Sequence, residues 1–201
     1  MSDSNMAGWL NNKLIIHGTV AGSLFLCMME LKQAIQLIRT PQLDHASAQV
    51  WADLGAGTGL FTRALAQLVG ENSTIYAVDR KAADLEQIRP TDHVTIQKVP
   101  ADFIKDELSL QGLTGILMAN SLHYVKDQPS FINKMKASFA GDGRFLIVEY
   151  DTDKANPWVP YPLNFISLTS LFTQAGYTTI EKINETPSRF NGNNIYGAWV
   201  S

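Results

Sequence analysis

Three glycines at alternate positions follow a short apolar run, in the order Asp53-Leu-Gly55-Ala-Gly57-Thr-Gly59. Without Cβ atoms, such a loop lets a ligand approach the backbone and the N-terminal amides of the next helix. An ordinary tight turn between a strand and a helix needs only one glycine. Dinucleotide sites use the spacing G-x-G-x-x-G to hold a pyrophosphate, whereas the third glycine here comes one residue early. Asp53 would repel a pyrophosphate but attract an ammonium or sulfonium group, so the loop indicates a cationic nucleoside that bears an amino acid.

A second acidic residue, Asp79, ends the next apolar run, 24 residues after Gly55. An acid at this place can accept hydrogen bonds from both hydroxyls of a ribose. The same role occurs in nicotinamide sites, so Asp79 supports a nucleoside without separating the two cofactors. A solvated aspartate at a strand end is the other interpretation.

The candidates for proton transfer are His123, Tyr124 and Glu149, which fall at the predicted ends of two strands. A general base is needed only where the accepting atom must lose a proton before or during the reaction. A packing or hydrogen-bonding role is the competing interpretation for His123.

The elements that must position these residues alternate between strand-like and helix-like patterns. Predicted strands cover residues 49–54, 74–79, 94–98, 115–119 and 144–150, and predicted helices cover 60–68, a segment ending at 88, 129–139 and 164–175. Val, Ile and Leu crowd the strands with little alternation, which is typical of a parallel sheet covered on both faces. Residues 177–183 and 194–200 are two further strands, and their connection is too short for a parallel crossover. We therefore predict an α/β fold: a Rossmann-like doubly wound sheet, mostly parallel, of seven strands with an antiparallel C-terminal hairpin.

The first part of the chain carries a different pattern. Residues 23–39 have apolar side chains at three- and four-residue steps, which predicts a helix that Pro41 ends. We assign residues 1–45 to an N-terminal helical extension and residues 46–201 to the main domain. We expect this helix to close over the ligand, because its apolar face otherwise lacks a partner. Cys27, the only cysteine, lies in an apolar run and is expected to be a buried thiol.

The composition limits the classes of function. Hydrophobic residues make up 45% of the 201 residues and charged residues 17%, so we expect a packed core rather than disorder. A formal net charge of −3 argues against a nucleic-acid partner. One cysteine excludes an internal disulfide and a multi-cysteine zinc site, and we expect no metal. No signal peptide or membrane-spanning run is recognisable, so we expect a cytoplasmic protein without a membrane partner.

Together these residues resemble the class I S-adenosylmethionine-dependent methyltransferases of the small-molecule type, over residues 49–201. Five segments match the family's motifs in order: Asp53–Gly59, Tyr76–Asp79, Val99–Phe103, Gly115–Tyr124 and Gly141–Glu149. No single motif is decisive, but five at the right intervals are specific.

The resemblance implies S-adenosylmethionine as cofactor and S-adenosylhomocysteine as product. It places Asp53 and the glycines at the methionine end, Asp79 at the ribose, Asp102 at the adenine amino group and Asn120 close to the transferred methyl group. The implied cofactor-binding residues are Asp53, Gly55, Ala56, Gly57, Thr58, Gly59, Asp79, Arg80, Ala101, Asp102, Phe103 and Asn120. His123 and Tyr124 are the candidate catalytic residues.

The segment of residues 156–162 holds three prolines and two aromatic residues, and it should lie over the acceptor side of the cleft. We take Trp158, Tyr161 and Arg189 as the substrate-side candidates. The chain lacks the Asn/Asp-Pro-Pro-aromatic tetrad typical of nucleobase amino-methylation, a fourth-strand cysteine for cytosine methylation and the paired glutamates of protein-arginine enzymes. A small, fairly apolar or aromatic acceptor remains. Two alternatives stay open: a non-catalytic protein that binds S-adenosylmethionine, and a nicotinamide-dependent oxidoreductase.

Overall fold

The computed structural model describes residues 29–43, 47–188 and 193–201. Cys27, Arg189 and the first part of the predicted N-terminal helix lie outside these residues. No helix within the described ranges is long and apolar enough to cross a lipid bilayer.

The described chain forms one seven-stranded sheet. Its strands are β1 (Val50–Leu54), β2 (Ser73–Asp79), β3 (Val94–Pro100), β4 (Leu113–Ala119), β5 (Phe139–Tyr150), β6 (Ile180–Pro187) and β7 (Asn194–Val200). Their spatial order is β3-β2-β1-β4-β5-β7-β6. The pairs among β1–β5 are parallel, whereas β7 runs antiparallel to both β5 and β6. The predicted fold class, including the antiparallel C-terminal hairpin, is therefore confirmed.

Helices cover both faces of this sheet. They are α1 (Leu31–Ile38), α2 (Leu60–Ala66), α3 (Ala82–Leu85), α4 (Gln128–Met135) and α5 (Phe165–Gln174), with 3₁₀ turns at Leu122–Tyr124 and Lys136–Ser138. The start of α4 is set by Asp127, whose Oδ1 accepts the N–H of Ser130 at 3.1 Å, and by Pro129 in the first turn. Asn164 caps α5 in the same way, since its Oδ1 accepts the N–H of Ser167 at 2.8 Å.

The first strand of the C-terminal hairpin begins later than the sequence predicts, at Ile180 rather than at residue 177. Gly176 turns the chain with a φ of +90°, and the ring of Tyr177 then packs against Phe145 and Phe172, with centroids 5.6 Å from each. The ring of Tyr177 is therefore held in the hydrophobic core, and the strand begins only after it, at Ile180. A register shift between Lys182 and Asn184 accompanies the extension of β6 to residue 187.

The helix α1 packs against a face of the sheet rather than over the ends of its strands. Ala34, Leu37 and Ile38 are buried in the core cluster that also contains Trp51 and Trp199. The carbonyl oxygen of Leu37 comes so close to Gly197 that a Cβ there would lie 1.9 Å from it. The apolar face of α1 thus has a partner in the sheet, so the reason given for its closing over the ligand does not apply to residues 31–38.

Candidate functional site

The order of the strands creates a crevice at the carboxyl-terminal ends of the strands. The chain winds from β1 to β2 and β3 on one side and returns to β4 and β5 on the other. In open α/β sheets, ligands bind outside the carboxyl ends of the strands at such a switch point. The glycine loop follows β1 at these ends, and the other sequence-predicted site segments follow β2, β3 and β4.

Each glycine of the loop has a positive φ, with +89° at Gly55, +53° at Gly57 and +81° at Gly59. A Cβ on Gly55 would lie 2.6 Å from Cβ of Ser121, and one on Gly59 would lie 2.6 Å from Cγ1 of Ile88. At Gly57 no atom of the described residues lies within 4 Å of the Cβ position. Two of the glycines therefore permit close packing inside the protein, whereas Gly57 keeps open space beside the backbone.

The loop is fixed to the end of β2 by backbone hydrogen bonds. The N–H groups of Gly55 and Ala56 donate to the carbonyl of Val78 at 2.8 and 3.0 Å. The N–H of Gly57 donates to Oδ2 of Asp79 at 2.9 Å, and the N–H of Lys81 donates to Oδ1 at the same distance. Each carboxylate oxygen retains further acceptor capacity, so Asp79 is held in place and can still accept hydrogen bonds from a diol.

Asp53 is 1% exposed, and its Oδ2 accepts the hydroxyl hydrogen of Thr62 in α2 at 2.6 Å. Burial raises the pKa of Asp53 to about 7; the Thr62 hydroxyl opposes this rise and the charge of Asp79 adds to it. The sequence indicated an acid beside the loop but gave no sign of this partner. Asp53 therefore acts from the protein interior, as a buried group whose charge depends on pH near neutrality.

The segment after β3 lies beside the loop. The N–H of Ala101 donates to the carbonyl of Asp79 at 3.1 Å, which joins the ends of β2 and β3. The Phe103 ring lies 3.5 Å from the Cβ position of Gly55. Asp102 is engaged in a local turn, where its Oδ1 accepts the N–H of Ile104 at 3.1 Å. Of the remaining predicted residues, Thr58 is half-buried in the loop and Arg80 is exposed directly after β2.

Asn120 directly follows β4 and lies in the left-handed region, with a φ of +52°. Its Oδ1 is buried without a hydrogen-bond partner among the described residues. The neighbouring Ser121 hydroxyl donates to the carbonyl of Leu54 at 2.6 Å, which joins the ends of β1 and β4. Backbone strain and an unsatisfied acceptor both destabilise the free protein. A ligand that donates a hydrogen bond, such as an ammonium group, would satisfy this oxygen.

His123 and Glu149 form a buried pair between the turn after β4 and the end of β5. Nδ1 of His123 lies 2.6 Å from Oε2 of Glu149, and the backbone N–H of His123 donates to Oε1 at 3.1 Å. The side chains are 2% and 1% exposed. A carboxylate at this distance favours the tautomer with hydrogen on Nδ1. This leaves Nε2, which makes no hydrogen bond in the described chain, able to accept a proton.

Tyr124 packs beside this pair in a tilted arrangement, with its ring centroid 4.4 Å from that of His123. Desolvation raises the pKa of the Tyr124 phenol; the negative charge of Glu149 adds to the effect and the positive charge of Arg80 opposes it. The phenol therefore stays protonated near neutral pH. It can donate or accept a hydrogen bond, but it is poorly suited to remove a proton.

Two of the three substrate-side candidates lie within the described residues. Trp158 and Tyr161 are each 37% exposed, and the N–H of Tyr161 donates to the carbonyl of His123 at 3.0 Å. Arg189 lies outside the described residues. The sequence reasoning missed Thr62, which contacts Asp53 nine residues earlier, and Gln128, which contacts Tyr161 33 residues later; neither contact leaves a local signal.

Comparisons with known proteins identify the family and the fold. A methyltransferase-domain family model matches residues 45–183, which is more than half of the chain. No curated protein matches the chain significantly in sequence.

Several solved structures are similar in fold. One is a SAM-dependent methyltransferase from Leishmania major, with a TM-score of 0.65 and 15% identity over 91% of this chain and 77% of that one. Another is the 1,6-didemethyltoxoflavin-N1-methyltransferase of Burkholderia thailandensis, solved with 1,6-didemethyltoxoflavin and S-adenosylhomocysteine, with a TM-score of 0.61 and 18% identity over 85% of this chain and 76% of that one. A third is an arsenic(III) S-adenosylmethionine methyltransferase from Chlamydomonas reinhardtii, with a TM-score of 0.59 and 14% identity over 89% of this chain and 71% of that one. At these identities the likeness shows the fold.

Proposed function

Because the chain belongs to the family of S-adenosylmethionine-dependent methyltransferases, we propose that it methylates a small molecule whose accepting atom carries a removable proton. The observation that carries this proposal is the buried His123–Glu149 pair, with a distance of 2.6 Å between Nδ1 and Oε2. His123 lies in the turn after β4, three residues after Asn120, and Glu149 lies near the end of β5. A base fixed in this way suits a substrate whose methyl-accepting O–H or N–H group must lose its proton.

The crevice fits the cofactor in three respects. Among the described residues, Gly57 leaves open space beside the backbone and Asn120 Oδ1 has no donor, and Asp79 keeps acceptor capacity for two hydroxyls. When bound, S-adenosylmethionine supplies an activated methyl group on a sulfonium and leaves as S-adenosylhomocysteine. The residues that we propose to hold it are Asp53, Gly55, Ala56, Gly57, Thr58, Gly59, Asp79, Arg80, Ala101, Asp102, Phe103 and Asn120. We assign Asp53 an indirect part, because its carboxyl group bonds to Thr62.

The chain's own residues then align the acceptor and take its proton. His123 Nε2 accepts the proton as the acceptor atom forms its bond to carbon, and the Glu149 carboxylate stabilises the imidazolium that results. General-base catalysis of this kind contributes roughly 10²- to 10⁴-fold in rate. Tyr124, held protonated, would donate a hydrogen bond to the acceptor rather than remove its proton.

The shortness of the predicted acceptor-side segments and the charge favour a small acceptor over a macromolecule. We assign the acceptor side to residues 121–127 and 151–164, and the formal net charge is −3. A domain that binds nucleic acid usually carries a basic patch or stripe. The substrate-side residues that we propose are Trp158, Tyr161 and Arg189, and the cytoplasmic location remains a prediction.

A labelled-methyl screen tests the proposal. The full chain is incubated with methyl-labelled S-adenosylmethionine and either the small-metabolite ultrafiltrate of a cell extract or the retained macromolecules. We expect label in the small-metabolite fraction, with the product identified by mass. Label only in macromolecules would overturn the proposed acceptor class. Binding of S-adenosylhomocysteine by calorimetry without transfer to either fraction would favour the non-catalytic alternative, and binding of NAD instead would favour the oxidoreductase.

A matched pair of variants tests the role of His123. His123→Gln should bind S-adenosylhomocysteine like the unaltered chain but transfer methyl roughly 10²-fold more slowly. His93→Gln is the control, because His93 precedes β3 at the opposite, amino-terminal ends of the strands, where its Nε2 lies 3.2 Å from the carbonyl of Ala66. Equal transfer rates in the two variants would contradict a proton-transfer role.

A further inference from the structure

The turn that carries His123 is joined to a second segment, residues 156–162, which we call the aromatic loop. The N–H of Tyr161 donates to the carbonyl of His123 at 3.0 Å. The side-chain amide of Gln128, the first residue of α4, donates to the carbonyl of Tyr161 at 3.0 Å and to that of Leu122 at 3.4 Å. Both hydrogens of one amide group therefore bridge the turn and the loop.

The aromatic loop is also rigid within itself. Asn156 Oδ1 accepts the N–H groups of Trp158 and Val159 at 2.9 and 3.0 Å. The backbones of Asn156 and Val159 exchange two hydrogen bonds of 3.1 Å, and the Val159 side chain is buried. The prolines at 157, 160 and 162 restrict the remaining backbone torsions. The loop is thus ordered before any ligand binds.

The surface of these two segments is aromatic. Tyr124 is 45% exposed, and Trp158 and Tyr161 are 37% exposed. Within the described chain only Ile104 and Ile166 are other large hydrophobic side chains with comparable exposure. Exposed aromatic rings that are held by a rigid backbone present a flat, apolar surface to a ligand at low entropic cost. Their fixed relation to His123 indicates what that ligand is.

We propose that Tyr124, Trp158 and Tyr161 bind a planar aromatic acceptor, and that Gln128 is a positioning residue that holds these rings relative to Nε2 of His123. This inference rests on the proposed function, since the acceptor meant is the methyl acceptor. Stacking on the rings would present a ring hydroxyl or a ring N–H to His123. A ring hydroxyl is more acidic than the hydroxyl of a saturated alcohol, so its proton moves more easily to an imidazole during the attack.

The first test uses the unaltered chain saturated with S-adenosylhomocysteine. A panel of hydroxylated or N–H-bearing planar aromatics is titrated against their ring-saturated counterparts, with the fluorescence of Trp158 as the signal. Trp158→Phe identifies which part of the signal comes from that residue. We expect saturable quenching by the planar members only. Equal binding of the saturated counterparts, or binding of no planar member, would overturn the inference.

The second test concerns Gln128. Gln128→Glu keeps the shape of the side chain but has no hydrogen to donate, whereas Gln128→Lys restores donors; Gln111→Glu, in an exposed loop, is the control. We expect Gln128→Glu to raise KM for a planar acceptor roughly 10-fold, with a smaller change in kcat and unchanged affinity for S-adenosylhomocysteine. Gln128→Lys should recover most of the loss. An unchanged KM in Gln128→Glu would contradict the positioning role.

These outcomes separate the two proposals. If the chain transfers methyl to small molecules but accepts only saturated ones, the inference fails while the proposed function stands. If it transfers methyl to no small molecule, the proposed function fails, and the fluorescence titration still shows whether the aromatic surface binds planar ligands.

Discussion

Nδ1 of His123 lies 2.6 Å from Oε2 of Glu149, and neither side chain has meaningful contact with solvent. The two residues are 26 positions apart in sequence and meet because β4 and β5 are parallel neighbours. A charge-assisted hydrogen bond in this setting fixes both the tautomer and the orientation of the imidazole.

Glu149→Gln should therefore lower kcat without weakening the binding of cofactor. The amide oxygen can still accept the Nδ1 hydrogen, but a neutral group stabilises the imidazolium much less. We expect kcat to fall roughly 10²-fold, with the affinity for S-adenosylhomocysteine unchanged by calorimetry. Glu107→Gln, in an exposed loop, is the control. A full rate in Glu149→Gln, or an equal loss in the control, would count against the pair as proton acceptor.

The buried carboxyl of Asp53 should make the free energy of unfolding depend on pH. Its pKa is raised from an ordinary value of 3.8 to about 7 in the folded chain, so the folded state holds this proton more tightly than the unfolded state. Its contribution to stability is complete below about pH 4 and is lost as the pH rises to about 7. At about 1.4 kcal/mol per unit of pKa, the loss is at most about 4 kcal/mol.

Asp53→Asn isolates this contribution. Denaturant unfolding of the unaltered chain and the variant, compared at each pH, should show the variant gaining relative stability between pH 4 and pH 7 and a constant difference above. Thr62→Val removes the hydroxyl that stabilises the carboxylate, so it should move the transition to higher pH. A difference between Asp53→Asn and the unaltered chain that does not change with pH would show that Asp53 is ionised throughout.

We expect Gly57 to matter mainly for cofactor affinity and Gly59 mainly for the stability of the fold. In Gly57→Ala the new methyl group meets no atom of the described part of the chain within 4 Å, so only the strain of its positive φ, about 1–2 kcal/mol, should appear in the unfolding free energy. The added methyl group would enter the space that we assign to cofactor, and the affinity for S-adenosylhomocysteine should fall at least 10-fold. Gly59→Ala should destabilise the fold more, because its Cβ would lie 2.6 Å from Ile88. Calorimetry that finds full affinity in Gly57→Ala would remove this loop from the cofactor site.

The sequence predicts the order and type of the strands because most of them, such as β1 and β4, are local apolar runs, although β6 is largely exposed. The position of Tyr177 is different: its ring packs between Phe145 and Phe172, and no local pattern shows that the core holds it outside the strand. The same limit applies to the site. Asp53, Asp79 and Asn120 are identified by their places at strand ends, but the partner of Asp53 is a threonine whose hydroxyl carries no distinctive spacing.

The surface that covers α1 shows most clearly that a local sequence pattern does not identify a distant packing partner. The amphipathic pattern of α1 predicts an apolar face that must be covered, but not by what. The covering surface includes β7, more than 150 residues later in the chain, and the close approach depends on Gly197 having no side chain. Contacts between segments so distant in sequence are set by the packing of the whole sheet.

Asn120 combines a left-handed backbone, with a φ of +52°, with a buried Oδ1 that has no partner in the described chain. Glycine adopts this backbone without strain and has no oxygen to leave unsatisfied. Asn120→Gly should therefore stabilise the ligand-free chain, by about 1 kcal/mol in denaturant unfolding. If the oxygen serves to accept a hydrogen bond from the cofactor, the same variant should bind S-adenosylhomocysteine roughly 10-fold more weakly.

Asn72→Gly is the control, because Asn72 shares the positive φ, at 64°, but precedes β2 at the opposite, amino-terminal ends of the strands. It should be neutral or stabilising and leave cofactor affinity unchanged. Stabilisation of Asn120→Gly without loss of affinity would show that the strain at the end of β4 serves something other than cofactor binding.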